Sequence, residues 1–175
     1  MVLLHTLRQE VESSSQFHLA DSELSNGPVS ASPTLCRLLP QLRQYSSWLL
    51  SNLVSLLSQT DEHVLVYQEE MWHAYVRCLN SLKKLGNAKI VDLAYLLEED
   101  QDTIGFTAFS ESVRKWRFMA ADGLVKPAST EEGITRSKPE DEMLYRIQSL
   151  LRDGIRLCRD SVSPCPLAIV FPNVL

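Results

Sequence analysis

The chain has 175 residues, 45% of them hydrophobic and 22% charged, a composition that fits a globular domain and excludes wholesale disorder. Seventeen Lys and Arg stand against 22 Asp and Glu, giving a formal net charge of −5, so no chain-wide attraction to polyanions is expected and any basic surface must be local. The longest apolar run, Trp48 to Leu57, is broken by Ser51, Asn52 and Ser55 and is too short for a transmembrane helix.

Val2, Leu3, Leu4, Leu7 and Val11 recur at helical spacing, which predicts an N-terminal helix within residues 1–20. Residues 21–34, rich in serine and holding Asn26, Gly27, Pro28 and Pro33, read as a flexible linker that divides the chain. From Pro40, the positions Leu42, Tyr45, Leu49, Leu53, Leu56 and Leu57 form one apolar stripe. After a polar break at Ser58 to Glu62, Val64, Tyr67, Met71, Tyr75, Cys78, Leu79, Leu82 and Leu85 form a second, ending at Gly86. So short a connection predicts that the second helix folds back antiparallel on the first.

Ala88 to Leu97 reads as a further short helix, closed by the acidic cluster Glu98, Glu99, Asp100 and Asp102. Ser110 to Met119 is weakly helical with Val113, Trp116 and either Phe118 or Met119 inward, and a polar loop spans Asp122 to Lys138. The last helix opens at Pro139, with Glu140, Asp141 and Glu142 at its positive end. Met143, Leu144, Ile147, Leu150, Leu151, Ile155 and Cys158 form its buried side, while Arg152, Arg156 and Arg159 form a basic stripe away from the core. Residues 161–175 read as an extended Pro-rich tail, and its apolar stretch Leu167 to Phe171 needs a groove to lie in. The expected fold is all-α: antiparallel helical hairpins of an α-solenoid-like array with long irregular loops, centred on a domain at 35–160.

Catalytic templates fail on spacing. Cys36, Cys78, Cys158 and Cys165 contain no CxxC pair and read as buried thiols in a reducing compartment. His5, His18, His63 and His73 stand apart from one another and from the cysteines, against a zinc site. With six glycines and no phosphate loop, nucleophile elbow or HExxH helix, the expectation is a protein that is not an enzyme and uses no cofactor or metal. The acidic cluster lacks the alternating ligands and central glycine of a calcium loop, so it reads as a solvated edge.

Two features suit nucleic acid. Arg114, Lys115, Trp116 and Arg117 combine phosphate-pairing charge with a stacking ring, and Arg152, Arg156 and Arg159 add the stripe on the last helix. A groove combining Arg114 with Arg152 and Arg156 is the geometry this reading calls for. Against it, a tryptophan between basic residues is commonly a core anchor, and Asp153 and Asp160 stand where they would neutralise part of the stripe.

Three segments in succession carry a family resemblance: Leu38 to Leu49, a proline-containing helix start with a Trp-Leu pair; Leu96 to Phe106, an acidic cluster followed by Gly105 and Phe106; and Leu144 to Leu157. The succession, spanning roughly Leu35 to Cys158, resembles the DNA/RNA-binding domain of the "ever shorter telomeres" telomerase-subunit family, shared with the SMG factors of nonsense-mediated mRNA decay, most closely its fungal members. The resemblance implies a helical-hairpin array following a 14-3-3-like tetratricopeptide module. It also implies a nonenzymatic adaptor of the nucleus and cytoplasm, with mRNA decay factors or telomerase components as partners, together with RNA or single-stranded telomeric DNA. No tetratricopeptide repeat or nuclease-like domain accompanies it, so the expectation is a C-terminal helical portion alone. Such a portion should expose apolar edges open to self-association. The alternative is a generic α-helical interaction module, or a truncated copy of such an adaptor.

Overall fold

The computed structural model describes residues 6, 9, 32–85 and 90–160. Apart from Thr6 and Gln9, which are helical, the expected N-terminal helix lies outside the described residues, as do most of the 21–34 linker, Gly86, Cys165 and the 161–175 tail. The described helices are α1 (Pro33–Leu57), α2 (Glu62–Leu85), α3 (Glu98–Thr103), α4 (Glu111–Phe118) and α5 (Pro139–Asp160). Among the described residues there is no strand, only isolated bridges joining Leu96 to Ala128 and Met119 to Val125, and no helix is long and apolar enough to cross a membrane.

Helix α1 starts earlier than its apolar stripe suggests. Ser32 caps it, its hydroxyl accepting from Leu35 N at 3.1 Å, and Pro33 fits the first turn, where no helical N–H is needed. Pro40, taken from sequence as the start, instead lies inside the helix. Leu35, Leu39, Leu42, Leu49 and Leu53 line the buried side of α1. They share one core with Trp72, Tyr75, Val76, Leu79 and Leu82 of α2 and with Ile147, Leu150 and Leu157 of α5. Each fully buried leucine contributes about 1.5–3 kcal/mol by removal from water.

Contacts fix the helix directions. Ser46 Oγ lies 2.8 Å from Tyr75 Oη, and Gln68 Nε2 donates to Leu56 O at 3.0 Å. Advancing along α1 therefore means retreating along α2, and the pair is antiparallel. Helix α5 runs with α1: the Arg43 guanidinium lies over Tyr145, Ser46 Oγ donates to Asp153 at 2.8 Å, and Leu50 shares a cleft with Arg156 and Arg159. It packs on both other long helices. Gly154 permits that approach to α2, because a Cβ there would fall 2.5 Å from Leu79 Cδ1.

Four expectations are corrected. Residues 90–97 are not helical: Val91, Leu93, Tyr95 and Leu97 are buried at every second position and pack against Leu144 and Tyr145, the periodicity of extended chain. The acidic cluster begins helix α3 rather than closing a helix, and Glu99 and Asp100 are buried. On α2, burial starts only at Trp72, leaving Val64 and Tyr67 of the expected inward stripe in solvent beside Leu65 and Val66. Val54 and Leu57 are exposed at the facing end of α1. Of the cysteines expected to be buried, Cys36 is on the surface, Cys158 is half-buried, and Cys78 is buried with its thiol pushed up to about 12 by desolvation.

Candidate nucleic-acid interface

Helix α4 carries the first group of candidate residues. Ser110 caps it by accepting from Val113 N, and Ser110 N donates to Ser51 Oγ at 2.9 Å, tying the cap to α1. Val113 and Phe118 enter a small core with Leu96 and Phe109. That orientation turns Arg117 inward and leaves Arg114 and Lys115 exposed, with Trp116 half-buried between them.

Arg117 is only 3% exposed and does not belong to the surface. Its Nη2 donates to Asp153 Oδ2 at 2.8 Å and to Ser47 Oγ at 2.7 Å, and its Nη1 donates to Ser149 Oγ at 2.6 Å. A single guanidinium thus joins α1, α4 and α5, and Arg117 is removed from the nucleic-acid candidates because every donor it could offer a phosphate is engaged in the core. Asp153 likewise does not neutralise the arginine stripe: it is fully buried, accepting from Arg117 and Ser46. Burial raises its carboxyl above the ordinary range, against the pull of Arg117.

A second ionic group lies beside the first. Arg43 donates through Nη1 to Glu99 and through Nη2 to Asp100 at 3.1 Å. Arg146 donates to both oxygens of Glu99, at 2.9 and 3.0 Å. Burial alone would raise the Glu99 carboxyl, but Arg146 and Arg43 hold it below the ordinary carboxylate range. Burial also acts against the Arg43 charge, yet Asp100 and Glu99 raise its pKa. Glu142 follows the same logic, its burial outweighed by bonds from Arg136 and Tyr95. Within the acidic cluster Glu99 and Asp100 are therefore counter-ions for Arg43 and Arg146, while Glu98 and Asp102 stay exposed, and among the described residues no group of three or more His, Cys, Asp or Glu is placed to hold a metal ion.

The remaining candidates are divided between two hollows. Arg114 and Lys115 line one with Ile104, Phe118, Met119 and Val125; Lys115 pairs there with Glu111 at 2.9 Å, and Arg114 donates to Ile104 O. The other is a cleft formed by Leu50, Ser112, Val113, Trp116, Arg156 and Arg159. The expected groove combining Arg114 with Arg152 and Arg156 is not formed, since α4 separates the two hollows. In the cleft the Arg156 guanidinium carbon lies 3.9 Å from the Trp116 ring centre, and that of Arg117 lies 4.6 Å from it. The ring is thus already engaged by two cations rather than free to stack a base. Arg152 and Arg159 are exposed on the same helix as Arg156.

Sequence reasoning missed Arg43, Ser46, Ser47 and Ser149 as partners in this region. A signal existed: Ser46 and Asp153 occupy positions in register with the leucine stripes of α1 and α5, and a polar residue at a core position implies a buried partner.

The chain matches the family described as the Est1 DNA/RNA binding domain over residues 2–112. No curated protein and no solved structure matches it. The matched span holds α1, α2 and α3 and ends within the first turn of α4. It covers two of the three segments that carry the resemblance, and leaves Leu144 to Leu157 and all seven candidate binding residues outside. With more than half of its length so matched, the chain belongs to the Est1 DNA/RNA binding domain family.

Proposed function

We propose that this protein is a nonenzymatic adaptor or scaffold in nonsense-mediated mRNA decay or telomere maintenance, acting through protein contacts and through RNA or single-stranded DNA. The observation that carries this reading is the Est1 DNA/RNA binding domain match over residues 2–112. Its partners on this reading are mRNA decay factors or telomerase components, met in the nucleus and cytoplasm. The charged groups at the centre of the fold support a role without catalysis: Arg43 is bonded to Glu99 and Arg117 to Asp153, and all four are buried, closed to a substrate. The apolar end of the α1–α2 hairpin, with Val54, Leu57, Leu65 and Tyr67 in solvent, offers surface for protein contact or self-association.

The test is affinity capture with the tagged full chain from nuclear and cytosolic extracts. Recovery of a decay helicase, a decapping or deadenylation factor, or a telomerase component is the expected result. A folded bait that recovers none of them sinks the adaptor reading.

A further inference from the structure

The candidates that remain after the removal of Arg117 lie beyond the family-matched span, so the family match assigns them no ligand and only their own geometry bears on what they bind. Arg152, Arg156 and Arg159 follow at four- and three-residue steps on α5, which places three guanidinium groups along about 10 Å of one helix. None of them has an ion-pair partner among the described residues, whereas Arg146 on the same helix and Arg43 and Arg117, which face it, are each paired. Among the described residues no carboxylate lines the cleft that holds Arg156 and Arg159. Arg156 Nη1 is buried without a hydrogen-bond partner among the described residues, so no carboxylate within the fold takes up the charge of this half-buried guanidinium. By contrast the start of α2 and its entry present Asp61, Glu62, Glu69 and Glu70 to solvent.

We propose that the phosphodiester backbone of single-stranded RNA or DNA lies along Arg152, Arg156 and Arg159, with one phosphate at the α4–α5 cleft against Arg156, Arg159 and the Ser112 hydroxyl. This rests on the nucleic-acid part of the function proposed above and assigns it to a surface. A row of cations longer than one phosphate can reach favours a repeating polyanion over a single phosphorylated side chain. Trp116 acts by orienting Arg156, because a base stacking on its ring would have to displace a guanidinium already 3.9 Å from the ring centre. Contact through phosphate without base readout makes binding nearly independent of base sequence.

Fluorescence anisotropy of the full-length chain with labelled single-stranded RNA and DNA of mixed and homopolymeric sequence, titrated at several salt concentrations, tests the assignment. R156A and R159A are each expected to weaken binding about three- to tenfold, and the R152A/R156A/R159A variant about 100-fold. The triple variant should also lower the slope of log affinity against log salt by about 2, since each phosphate contact on a single strand contributes about 0.7. R156K, which keeps the charge but loses the planar fork, should lie between wild type and R156A. R77A on the α2 surface should leave affinity within about twofold. Binding by wild type with unchanged affinity and slope in the triple variant overturns the surface assignment and leaves the functional reading standing. Failure of the wild-type chain to retain either nucleic acid at low salt overturns the nucleic-acid part of that reading, and the assignment with it. A phosphoserine peptide that displaces the oligonucleotide at equal or lower concentration gives the cleft to a phosphoprotein instead and also overturns the proposal.

Discussion

Two regions of this small fold reverse the usual distribution of side chains. Where α1, α3, α4 and α5 meet, Arg43, Arg117, Glu99, Asp100 and Asp153 are packed out of water in mutual ion pairs. Further along the hairpin, Val54 is 83% exposed and Tyr67 71% exposed. The difference shows that apolar content does not by itself locate the structural centre. The charged belt specifies which short helix docks where, since each ion must find its own partner. The apolar end specifies nothing within the described residues and is available to something else. Buried pairs are costly to break but contribute little beyond well-packed apolar residues of the same shape; exposed apolar residues contribute little to folding but much to association.

The largest expected effect comes from breaking the belt. R117A, leaving Asp153 uncompensated, should lose about 3–5 kcal/mol in urea unfolding, while R117M/D153L, removing both charges, should recover most of that loss. A double variant no more stable than R117A would show that the belt supplies more than ion pairing. Next is G154A: crowding against fully buried Leu79 should exceed the roughly 1 kcal/mol that alanine gains in a helix. A net loss of about 1 kcal/mol is expected, read as a lower thermal midpoint by circular dichroism.

Acid sharpens the comparison further. Glu99 and Glu142 are held below the ordinary value of 4.5 in the fold, so their contribution is present above that pH and is lost as pH falls through their folded values. Asp153, raised above 3.8 by burial, acts in the opposite sense: its term favours the fold at low pH and fades as pH rises through its folded value. Unfolding free energy measured from pH 6 to 3 should therefore fall with acidification, and E99Q should be less stable at pH 6 but show a shallower fall. The smallest effect belongs to the apolar end, where V54S or Y67S should change stability by no more than about 0.5 kcal/mol while reducing any concentration-dependent sedimentation. A loss of several kcal/mol there would mean the end is covered within the chain itself.

The three long helices and the antiparallel pairing of α1 with α2 are legible in the residues. The leucine spacing on α1 and α5 reports the core because burial on a helix follows its 3.6-residue period, and the short connection after Leu57 forces the antiparallel pair. Residues 90–97 were misread because Val91, Leu93 and Tyr95 alternate over too few positions to stand out from a helical run. The candidate site was half legible. Arg152 and Arg159 are exposed, as their spacing implies, whereas Arg156 is half-buried against the Trp116 ring. Arg117 faces inward, because the turn of α4 is set by Val113 and Phe118 meeting Phe109 and Leu96, a contact between distant parts of the chain that no local pattern contains.

The bond from Ser46 to Asp153 joins positions 107 residues apart in sequence, and it carries a consequence for how the chain comes into being. Helix α5 is the last described element to leave the ribosome, yet it completes the core of α1 and α2. During synthesis those two helices stay without their third partner until residue 160 has emerged, a window in which a holdase chaperone has apolar surface to grip. The same closure means that residues 2–112, although recognisable as a family unit, are not a self-sufficient folding unit: expressed alone they would present the leucine faces of α1 and α2 to one another's copies and aggregate.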